Sequence, residues 1–223
     1  MEQGSGGKFF KEMKGSCHLD ARYGRKRLSG AEIQRTLLHL LSKFMRHCSK
    51  TGIKPILMHG GLIGYYFNNR MLPWDGDLDL IICDEDSKRN LKNKSFGDLI
   101  IEVNPNCDIY TSDDKRNKIA ARVISRTNGV FIDITFFREN ADRTALLCKD
   151  GHVYRTEDIY LCTRRKVPAT GLFHNVPVYV PNNIVGCLVR EYGRNVLKPY
   201  YKNYVFDVAN KTWYKKRTWG FLA

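Results

Sequence analysis

The strongest candidates for a functional site are three aspartates at alternate positions, Asp75, Asp77 and Asp79. Carboxylates at this spacing could bind a metal ion. The last two alternate with leucines and lead into two isoleucines, and this period-two pattern predicts a β-strand over residues 77–82. Side chains two positions apart on a strand share one face, so both carboxylates are expected to point the same way. Adjacent carboxylates repel each other and resist desolvation, and a divalent cation would offset both effects.

A pair of glycines, Gly60 and Gly61, precedes the aspartates. Residues 53–58 predict a short buried strand that runs into the pair, and residues 62–68 predict a short helix after it. Glycine lets the backbone approach phosphate oxygens, and the N–H groups at a helix start attract anions. A glycine turn beside carboxylates suits phosphoryl or nucleotidyl transfer with Mg²⁺ or Mn²⁺, because all the proposed ligands are oxygen atoms.

A further aspartate, Asp133, lies within the most apolar predicted strand, residues 130–137. An isolated carboxylate in such a strand would be costly to bury or would be forced to protonate. Spacing alone leaves two interpretations of equal weight: it accepts structural hydrogen bonds, or it joins Asp77 and Asp79 around a metal ion. Arg122, on the preceding predicted strand, is a candidate phosphate contact, and a surface or strand-pairing role fits the pattern equally well.

The first three aspartates also match the first, third and fifth positions of a calcium-binding loop. That loop needs glycine at its sixth position and glutamate at its twelfth, where this sequence has Leu80 and Asp86. The strand-like run of leucine and isoleucine is also too apolar for such a loop. The pattern therefore argues against an EF-hand.

Two helices with recognisable ends are expected to frame these residues. The first begins at residues 29–30, carries apolar residues at three- and four-residue spacing, and ends at Gly52. The last covers residues 184–192, after a pair of asparagines that can cap it and before Gly193. The first is predicted to pack its apolar face into the core.

Three further segments have strand patterns. Residues 99–103 form an apolar run that ends at an Asn-Pro-Asn turn signal. A hairpin is predicted within residues 145–160, around the turn at residues 149–151. Residues 176–180 predict an edge strand or an extended segment, because the prolines within and after it cannot donate to a strand ladder.

The chain has 223 residues, 43% of them hydrophobic, and a net charge of +14, which fits one substantial globular domain. The charge is consistent with an anionic partner or simply with a solvated basic surface. The basic residues lie in short clusters without a basic arm or a recognition-helix pattern, which argues against nucleic acid as the partner. The sequence contains neither a membrane-spanning apolar run nor the apolar core of a signal peptide.

Seven cysteines form no Cys-x-x-Cys pair, so their spacing argues against a zinc ribbon. Several lie in apolar contexts and are expected in the core. Cys148 and Cys162, with His152 between them, leave a disulfide or a weak metal site as minor alternatives to a structural role.

Three blocks of the sequence resemble the LicD/fukutin family, and together they cover about residues 33–206. The most specific is HGGLIGYYF at residues 59–67 followed by LPWDGDLD at residues 72–79. The second, residues 121–135, resembles the strand that carries the family's third acidic residue. The third and weakest, residues 176–193, resembles the family's closing helix with its Tyr-Gly end.

The resemblance implies an α+β fold of nucleotidyltransferase type, a short mixed β-sheet flanked by helices. It implies metal-dependent transfer of a phosphate-linked group, such as phosphocholine, phosphoribitol or a sugar phosphate, from a CDP- or GDP-linked donor to a glycan acceptor. Two competing hypotheses are a nucleotidyltransferase acting on nucleic acid and a non-catalytic regulator of a glycan phosphotransferase. The implied location is the Golgi lumen for a chain like the eukaryotic relatives and the cytoplasm otherwise, with membrane association through a missing anchor or a partner.

The same resemblance assigns roles to the candidate site residues. The implied catalytic residues and Mg²⁺ or Mn²⁺ ligands are Asp77, Asp79 and Asp133. The implied substrate-binding residues are Gly60 and Gly61 on the phosphate side, Asp75 as a supporting acid, and Arg122. The expected organisation is a basic, glycine-rich and loosely docked lead-in over residues 1–29, a LicD-like domain over residues 30–206, and a basic aromatic tail over residues 207–223.

Overall fold

The computed structural model describes residues 8–15, 18–24, 26–83, 85–107 and 117–216. The helices are α1 (Gly30–Thr51), α2 (His59–Asn68), α3 (Glu85–Asn90), α4 (Thr156–Ile159) and α5 (Ile184–Tyr192). The strands are β1 (Pro55–Met58), β2 (Asp79–Ile82), β3 (Lys94–Phe96), β4 (Leu99–Val103), β5 (Ala121–Ser125), β6 (Phe131–Glu139), β7 (Ala145–Cys148), β8 (Val153–Arg155), β9 (Tyr160–Cys162), β10 (Val167–Phe173), β11 (Val176–Val180), β12 (Tyr200–Tyr201), β13 (Tyr204–Asp207) and β14 (Thr212–Lys215). One large mixed sheet with helices packed on it confirms the expected α+β class.

Helix α1 begins and ends where its capping residues predict. The Ser29 hydroxyl accepts a hydrogen bond from the Glu32 N–H, and the Ser29 N–H donates to the Glu32 carboxylate at 2.8 Å, which forms a capping box. The helix ends at Gly52, whose φ of 73° lies in the left-handed region that glycine adopts without strain. Its apolar stripe, which includes Leu37 and Phe44, is buried, and the helix contacts β5, β6 and β11.

Strand β2 lies at the centre of the large sheet, whose order is β3-β4-β5-β6-β2-β1-β11-β10-β9. It runs parallel to β6 and antiparallel to β1. The register pairs Asp79 with Asp133 on one side and with Met58 on the other. The three residues that follow Asp79 in the strand are aliphatic and buried, so the core fixes the position of its first residue.

The glycine pair is part of a helix and not of a turn that precedes one. Helix α2 begins at His59, three residues before the predicted start, so Gly60 and Gly61 lie in its first turn. His59 itself has a φ of 53°, in the left-handed region. This change of direction lets the helix follow β1 without a connecting loop.

Strand β2 is shorter than predicted, and Asp77 lies in the loop before it. Because β1 ends at Met58, the partner of Asp79, residues before Asp79 have no neighbour on that side with which to pair. The expectation that Asp77 and Asp79 share one strand face is therefore wrong.

Strand β11 is an interior strand between β1 and β10, so the prediction of an edge strand is wrong. Pro177 pairs with Leu172 of β10, whereas β11 meets β1 at the pair Tyr179 and Ile56. The proline thus lies outside the ladder with β1, where its missing N–H leaves no pairing unmade.

The remaining predicted elements near the aspartates are confirmed. Strand β4 has the predicted bounds, and β7 and β8 form the predicted hairpin, with Gly151 at a φ of 101° in its turn. Strand β6 begins at Phe131 and extends to Glu139, two residues beyond the prediction. Helix α5 follows Asn183, whose side chain accepts a hydrogen bond from a backbone N–H at 2.9 Å, and it ends at Gly193.

The described part of the N-terminal lead-in packs firmly against the domain. Phe10 and Leu19 are 3% and 1% exposed, and Leu19 forms a backbone bridge with Val130. Arg22 pairs with both Asp20 and Glu102. The expectation of a loosely docked lead-in is therefore wrong for these residues, while the boundary at residue 29 stays a prediction.

The C-terminal tail also packs back on the domain, as a small antiparallel sheet formed by β12, β13 and β14. Trp213 lies 4.8 Å from Phe67 of α2 and 5.0 Å from Trp74, between ring centroids. The tail thereby supports the loop that carries Asp75 and Asp77. Residues 217–223 of the predicted tail lie outside the described residues, and the boundary at residue 207 stays a prediction.

Cys148 and Cys162 are both free thiols, so the disulfide alternative is wrong. Burial raises the pKa of the Cys148 thiol well above its ordinary value, as expected for a core cysteine. Within the described residues, none of the helices combines the length and apolarity that a membrane span requires.

Candidate active site

Asp79 and Asp133 lie side by side on the parallel strands β2 and β6. Burial raises the pKa of Asp79 to about 7, and the charges of neighbouring carboxylates add to this effect while the His59 charge opposes it. Burial also raises the pKa of Asp133, against the opposing effect of the Arg122 guanidinium. The two carboxylates are thus costly to ionise together, and a bound cation would relieve that cost.

Asp75 and Asp77 reach the same place from the loop before β2. Burial raises the pKa of Asp75 to about 8, helped by a side-chain hydrogen bond to Asp77 and by the charges of Asp77 and Asp79. Without a bound cation, the raised pKa favours the protonated form of Asp75, which can donate that hydrogen bond to Asp77. The Gln34 amide on α1 donates to the carbonyl oxygen of Asp75 at 3.1 Å, which ties the loop to the helix.

Asp77 is the most open of the four aspartates, with a side chain 36% exposed. Its Oδ2 atom lies 3.7 Å from Nδ1 of His18, in the described part of the lead-in. The structure therefore places Asp79 beside Asp133 and Asp75 beside Asp77, which lies in a loop and not in the strand. Among the described residues, however, the acidic and histidine side chains whose ligand atoms all lie within 4.8 Å of one another are His59, Asp150 and His152, and not these four aspartates.

At Gly60 and Gly61 of α2, different neighbouring side chains leave no room for a β-carbon. A β-carbon on Gly60 would stand 2.2 Å from Asp75 Oδ2, so only glycine lets this carboxyl group lie against the helix. A β-carbon on Gly61 would stand 2.7 Å from Leu57 and 3.0 Å from Leu78, both in the core. Their role toward phosphate stays a prediction, and the structure adds a packing reason for each.

Arg122 on β5 is the cross-strand partner of Asp133 and is only 1% exposed. Its Nε donates to Asp133 Oδ1 at 2.6 Å, and its Nη2 donates to Glu12 at 3.2 Å. The guanidinium also lies 3.5 Å from the ring centroid of Phe131. Asp133 thus has a structural partner, and its remaining lone pairs are still available to a metal ion.

A cavity of about 270 Å³ adjoins this ion pair. Arg122 and Asp133 line it together with Lys8 and Lys118. The Nη1 atom of Arg122 is buried and has no hydrogen-bond partner among the described residues. An anionic group in the cavity would satisfy this donor, which agrees with the predicted phosphate contact without testing it.

A second cluster of polar side chains adjoins the aspartates and was missed at the sequence level. Its members are His59, Asp150, His152, Tyr154 and Glu191. His59 Nδ1 is hydrogen-bonded to Glu191, and its Nε2 lies 3.6 Å from Asp150 Oδ2. The Tyr154 hydroxyl donates to the other Glu191 oxygen at 3.1 Å.

The carboxylates of this cluster determine the charge of His59. Burial alone would lower the pKa of the imidazole, but the hydrogen bonds to Asp150 and Glu191 raise it to about 10. Burial alone would raise the pKa of Asp150, but the hydrogen bonds and charges of His59 and His152 lower it to about 2. Because Met58 pairs with Asp79, this positive charge lies next to the aspartates.

The signals for the second cluster in the sequence were weak and far apart. His59 stands directly before the glycine pair, and Asp150 and His152 flank the glycine of a predicted hairpin turn. Glu191 lies 132 positions after His59, in the closing helix. His152 was noted for its position between two cysteines, but the structure gives it histidine and aspartate neighbours instead.

The predicted donor set of Asp77, Asp79 and Asp133 has the chemical type that Mg²⁺ or Mn²⁺ would require, although its ligand atoms do not form a group within 4.8 Å of one another. All the atoms are carboxylate oxygens, which these cations prefer. Burial is the main cause of the raised pKa values of Asp79 and Asp133, so ionising both carboxyl groups without a cation is costly. Such a cation supplies charge neutralisation at phosphate and activation of an attacking hydroxyl.

Comparison with known proteins gives two kinds of match. The family model described as LicD/FKTN/FKRP, nucleotidyltransferase domain, matches residues 52–183. "Mannosyltransferase regulator 4" of Saccharomyces cerevisiae is 27% identical over 121 residues, which cover 47% of this chain and 10% of the relative. "Mannosyltransferase regulator 14" of the same yeast is 25% identical over 128 residues, which cover 50% and 13%.

The matches to the two yeast proteins therefore span only a small part of those proteins' own lengths. The family match is broader with respect to this chain, since it covers more than half of the sequence. It also contains His59, the glycine pair and all four candidate aspartates. On this evidence, the chain belongs to the LicD/FKTN/FKRP family.

Proposed function

We propose that this chain transfers a phosphate-linked group from a nucleotide-activated donor to a glycan acceptor, in a reaction that requires Mg²⁺ or Mn²⁺. The observation that carries the proposal is the register of Asp79 against Asp133 on adjacent strands, with Asp77 beside them. Asp79 and Asp133 are neighbours on adjacent strands and the charge of Asp77 acts on Asp79, so a divalent cation and a phosphate would balance their charge. The donors expected are CDP- or GDP-linked, and the transferred group is phosphocholine, phosphoribitol or a sugar phosphate.

We assign a role to each aspartate and to Arg122. Asp77, Asp79 and Asp133 hold the cation. Arg122 fixes the orientation of Asp133 by its hydrogen bond at 2.6 Å and offers its unpartnered Nη1 to a donor phosphate. Protonated Asp75 positions Asp77 by donating a hydrogen bond to it.

A second candidate function is that of a non-catalytic regulator of a glycan-modifying transferase. The observation in its favour is that both yeast relatives are named as mannosyltransferase regulators. The presence of all three proposed metal ligands favours catalysis, because a regulator has no need to bear the cost of burying Asp79 and Asp133 side by side. A nucleotidyltransferase acting on nucleic acid ranks third, supported by the net charge of +14.

The cellular setting is proposed on the same basis. A member of this family that modifies protein-linked or lipid-linked glycans would work in the Golgi lumen, associated with the membrane through an anchor or a partner. The cytoplasm remains the alternative if the acceptor is made there.

The test of the proposed function is a transfer assay with radiolabelled CDP- and GDP-linked donors and a mannose-rich glycan acceptor, in Mg²⁺ or Mn²⁺. We expect transfer by the wild-type protein and a loss of at least ~100-fold in Asp79→Asn, because that variant loses a ligand of the cation. The matched control is Asp142→Asn, which changes an exposed aspartate in a surface turn. Equal transfer by wild type and Asp79→Asn would exclude the proposed mechanism, and absence of transfer with all donors would favour the regulator.

A further inference from the structure

We propose a second metal site, for a transition-metal cation of the Zn²⁺ class, formed by His59 Nε2, Asp150 Oδ2 and His152 Nδ1. One ligand atom from each of these three residues lies within 4.8 Å of the other two. The donors are two imidazole nitrogens and a carboxylate oxygen, a set that suits Zn²⁺ far better than Mg²⁺. This site is separate from the aspartate set of the proposed function and does not depend on it.

The distances fit such a cation. Asp150 Oδ2 lies 3.6 Å from His59 Nε2 and 3.1 Å from His152 Nδ1. Ligand atoms about 2.0–2.1 Å from a tetrahedral Zn²⁺ are roughly 3.3 Å apart, so small side-chain movements would complete the coordination. Three protein ligands leave a fourth position for water or a substrate oxygen, as in catalytic zinc sites.

The surroundings of His59 match those of a metal-bound histidine. Its Nδ1 is committed to the Glu191 carboxylate, which also accepts a hydrogen bond from the Tyr154 hydroxyl at 3.1 Å. A carboxylate behind one ring nitrogen fixes the tautomer and leaves the other nitrogen as the ligand, which is the usual arrangement around zinc. The Glu191 side chain is 4% exposed, so this support is rigid.

The hairpin turn between β7 and β8 presents the other two ligands. Asp150 Oδ1 accepts a hydrogen bond from the His152 N–H at 3.0 Å, which leaves Oδ2 directed to the cluster. His152 Nδ1 is buried and has no hydrogen bond of good geometry among the described residues, although it lies near Asp150. A metal ion at the centre of the three atoms would satisfy this nitrogen.

An alternative reading of the same contacts is a bridge in which protonated His59 joins the two carboxylates. That bridge accounts for His59, Asp150 and Glu191. It leaves His152 Nδ1 with only the contact to Asp150 at 3.1 Å, which lacks good hydrogen-bond geometry. It also gives no reason for a second histidine 5.2 Å from the first, between ring centroids. The metal site accounts for all of them.

The test is Co²⁺ substitution of the full chain, followed by visible absorption spectroscopy, with Zn²⁺ competition against a chromophoric chelator to obtain affinities. We expect one Co²⁺ with the intense d–d bands of four or five coordination, displaced by Zn²⁺, whereas a Co²⁺ held by the aspartates alone would be six-coordinate and absorb weakly. Asp150→Asn and His152→Ala should each weaken Zn²⁺ binding by at least ~100-fold, and Glu191→Gln by about 10–100-fold, because it removes only the support of a ligand.

Matched controls separate this site from the aspartates and from surface histidines. Asp79→Asn should keep the Co²⁺ spectrum, although it should lose transfer activity. His39→Ala removes a surface histidine that lies 3.1 Å from Asp98 and should leave Zn²⁺ affinity unchanged. The proposal is overturned if wild type binds no stoichiometric Zn²⁺, or if Asp150→Asn and His152→Ala, both folded by circular dichroism, bind it as tightly as wild type.

Discussion

The Oδ2 atom of Asp75 occupies the space that a β-carbon on Gly60 would need, since that carbon would stand 2.2 Å away. Helix α2 and the loop before β2 are therefore in contact at the position where Asp75 reaches Asp77. The glycine that was predicted to face phosphate has a role in positioning the carboxylates. This contact links the glycine pair and the aspartates, which the sequence presents as separate features.

The first prediction concerns that contact. Gly60→Ala should push Asp75 away from the helix, break its hydrogen bond to Asp77 and weaken Mg²⁺ binding by about 10–100-fold, the range typical of groups that support a metal ligand. Calorimetric titration with Mg²⁺ measures the change in affinity, and urea unfolding measures any accompanying loss of stability.

Two other glycines serve as controls for this variant. Gly76→Ala should behave as wild type, because its new β-carbon would meet only Ile33, at 3.9 Å. Gly61→Ala should lower the free energy of unfolding by about 1–3 kcal/mol through overpacking against Leu57 and Leu78. Wild-type Mg²⁺ affinity in Gly60→Ala would contradict the positioning role of Asp75.

The second prediction concerns the buried ion pair of Arg122 and Asp133. Arg122→Met leaves a buried carboxylate without its partner and should cost about 3–5 kcal/mol of unfolding free energy. In the double variant with Asp133→Asn, the loss should be at least ~1 kcal/mol smaller than the sum of the single losses. Arg126→Met, which changes an exposed arginine on the next turn, is the control.

Chemical denaturation at a fixed pH gives all four values of this cycle. Additive losses would show that Arg122 stabilises the fold by packing on Phe131 alone and not through Asp133. That result would contradict the proposal that Arg122 positions Asp133.

The third prediction concerns pH in the absence of metal ions. The pKa of Asp79 is raised from 3.8 to about 7, so the folded state binds its proton more tightly than the unfolded state does. The stability associated with this proton is present below about pH 4 and is lost as the pH rises through 7. Asp79→Asn removes the ionisation and should therefore unfold like wild type below about pH 4 but at a higher temperature at pH 8.

We expect a difference of at least ~1 kcal/mol at pH 8, or about 2–4 °C in Tm for a chain of this size. Thermal unfolding in a chelator across this pH range measures it, and Asp142→Asn, at an exposed position, is the control. A wild-type protein more stable than Asp79→Asn at pH 8 would indicate that the cluster is already compensated without a cation.

The fourth prediction concerns the C-terminal sheet. Trp74 directly precedes Asp75, and its ring lies 4.5 Å from Tyr204 and 5.0 Å from Trp213, between centroids. Trp213→Ala should lower the free energy of unfolding by about 2 kcal/mol and also weaken Mg²⁺ binding, because the loop loses its support. Tyr214→Ala, at a neighbouring residue that is 49% exposed, should change neither.

Urea unfolding and Mg²⁺ titration of the two variants measure these effects side by side. Unchanged Mg²⁺ affinity in a destabilised Trp213→Ala would separate the C-terminal sheet from the site and leave it a purely structural role.

Local signals in the sequence predicted the elements whose ends are set by neighbouring residues. The capping box at Ser29 and Glu32 defines the start of α1, and the turn at residues 149–151 defines the hairpin. These signals work because the hydrogen bonds involved join residues a few positions apart. The sequence also links Asp79 and Asp133, which lie more than 50 positions apart, and the structure pairs them on adjacent strands, while their role as metal ligands stays a prediction.

The features that sequence reasoning missed depend on partners distant in the chain. Pro177 indicated an edge strand, but its missing N–H is harmless because the β1 ladder does not extend that far. The period-two pattern placed Asp77 in a strand, but β1 ends two residues too early to pair with it. His59 and Glu191 meet only because α5 packs against α2, which no local pattern indicates.

The central claim is that Asp77, Asp79 and Asp133 bind a divalent cation together with a nucleotide-linked donor. One experiment tests this claim most directly. It is calorimetric titration of Mg²⁺ into wild type and Asp79→Asn, each with and without CDP- and GDP-linked donors. We predict Mg²⁺ binding to wild type that strengthens with one of the donors, and a loss of at least ~100-fold in Asp79→Asn. No Mg²⁺ binding by wild type with any donor, or equal binding by Asp79→Asn, would contradict the claim.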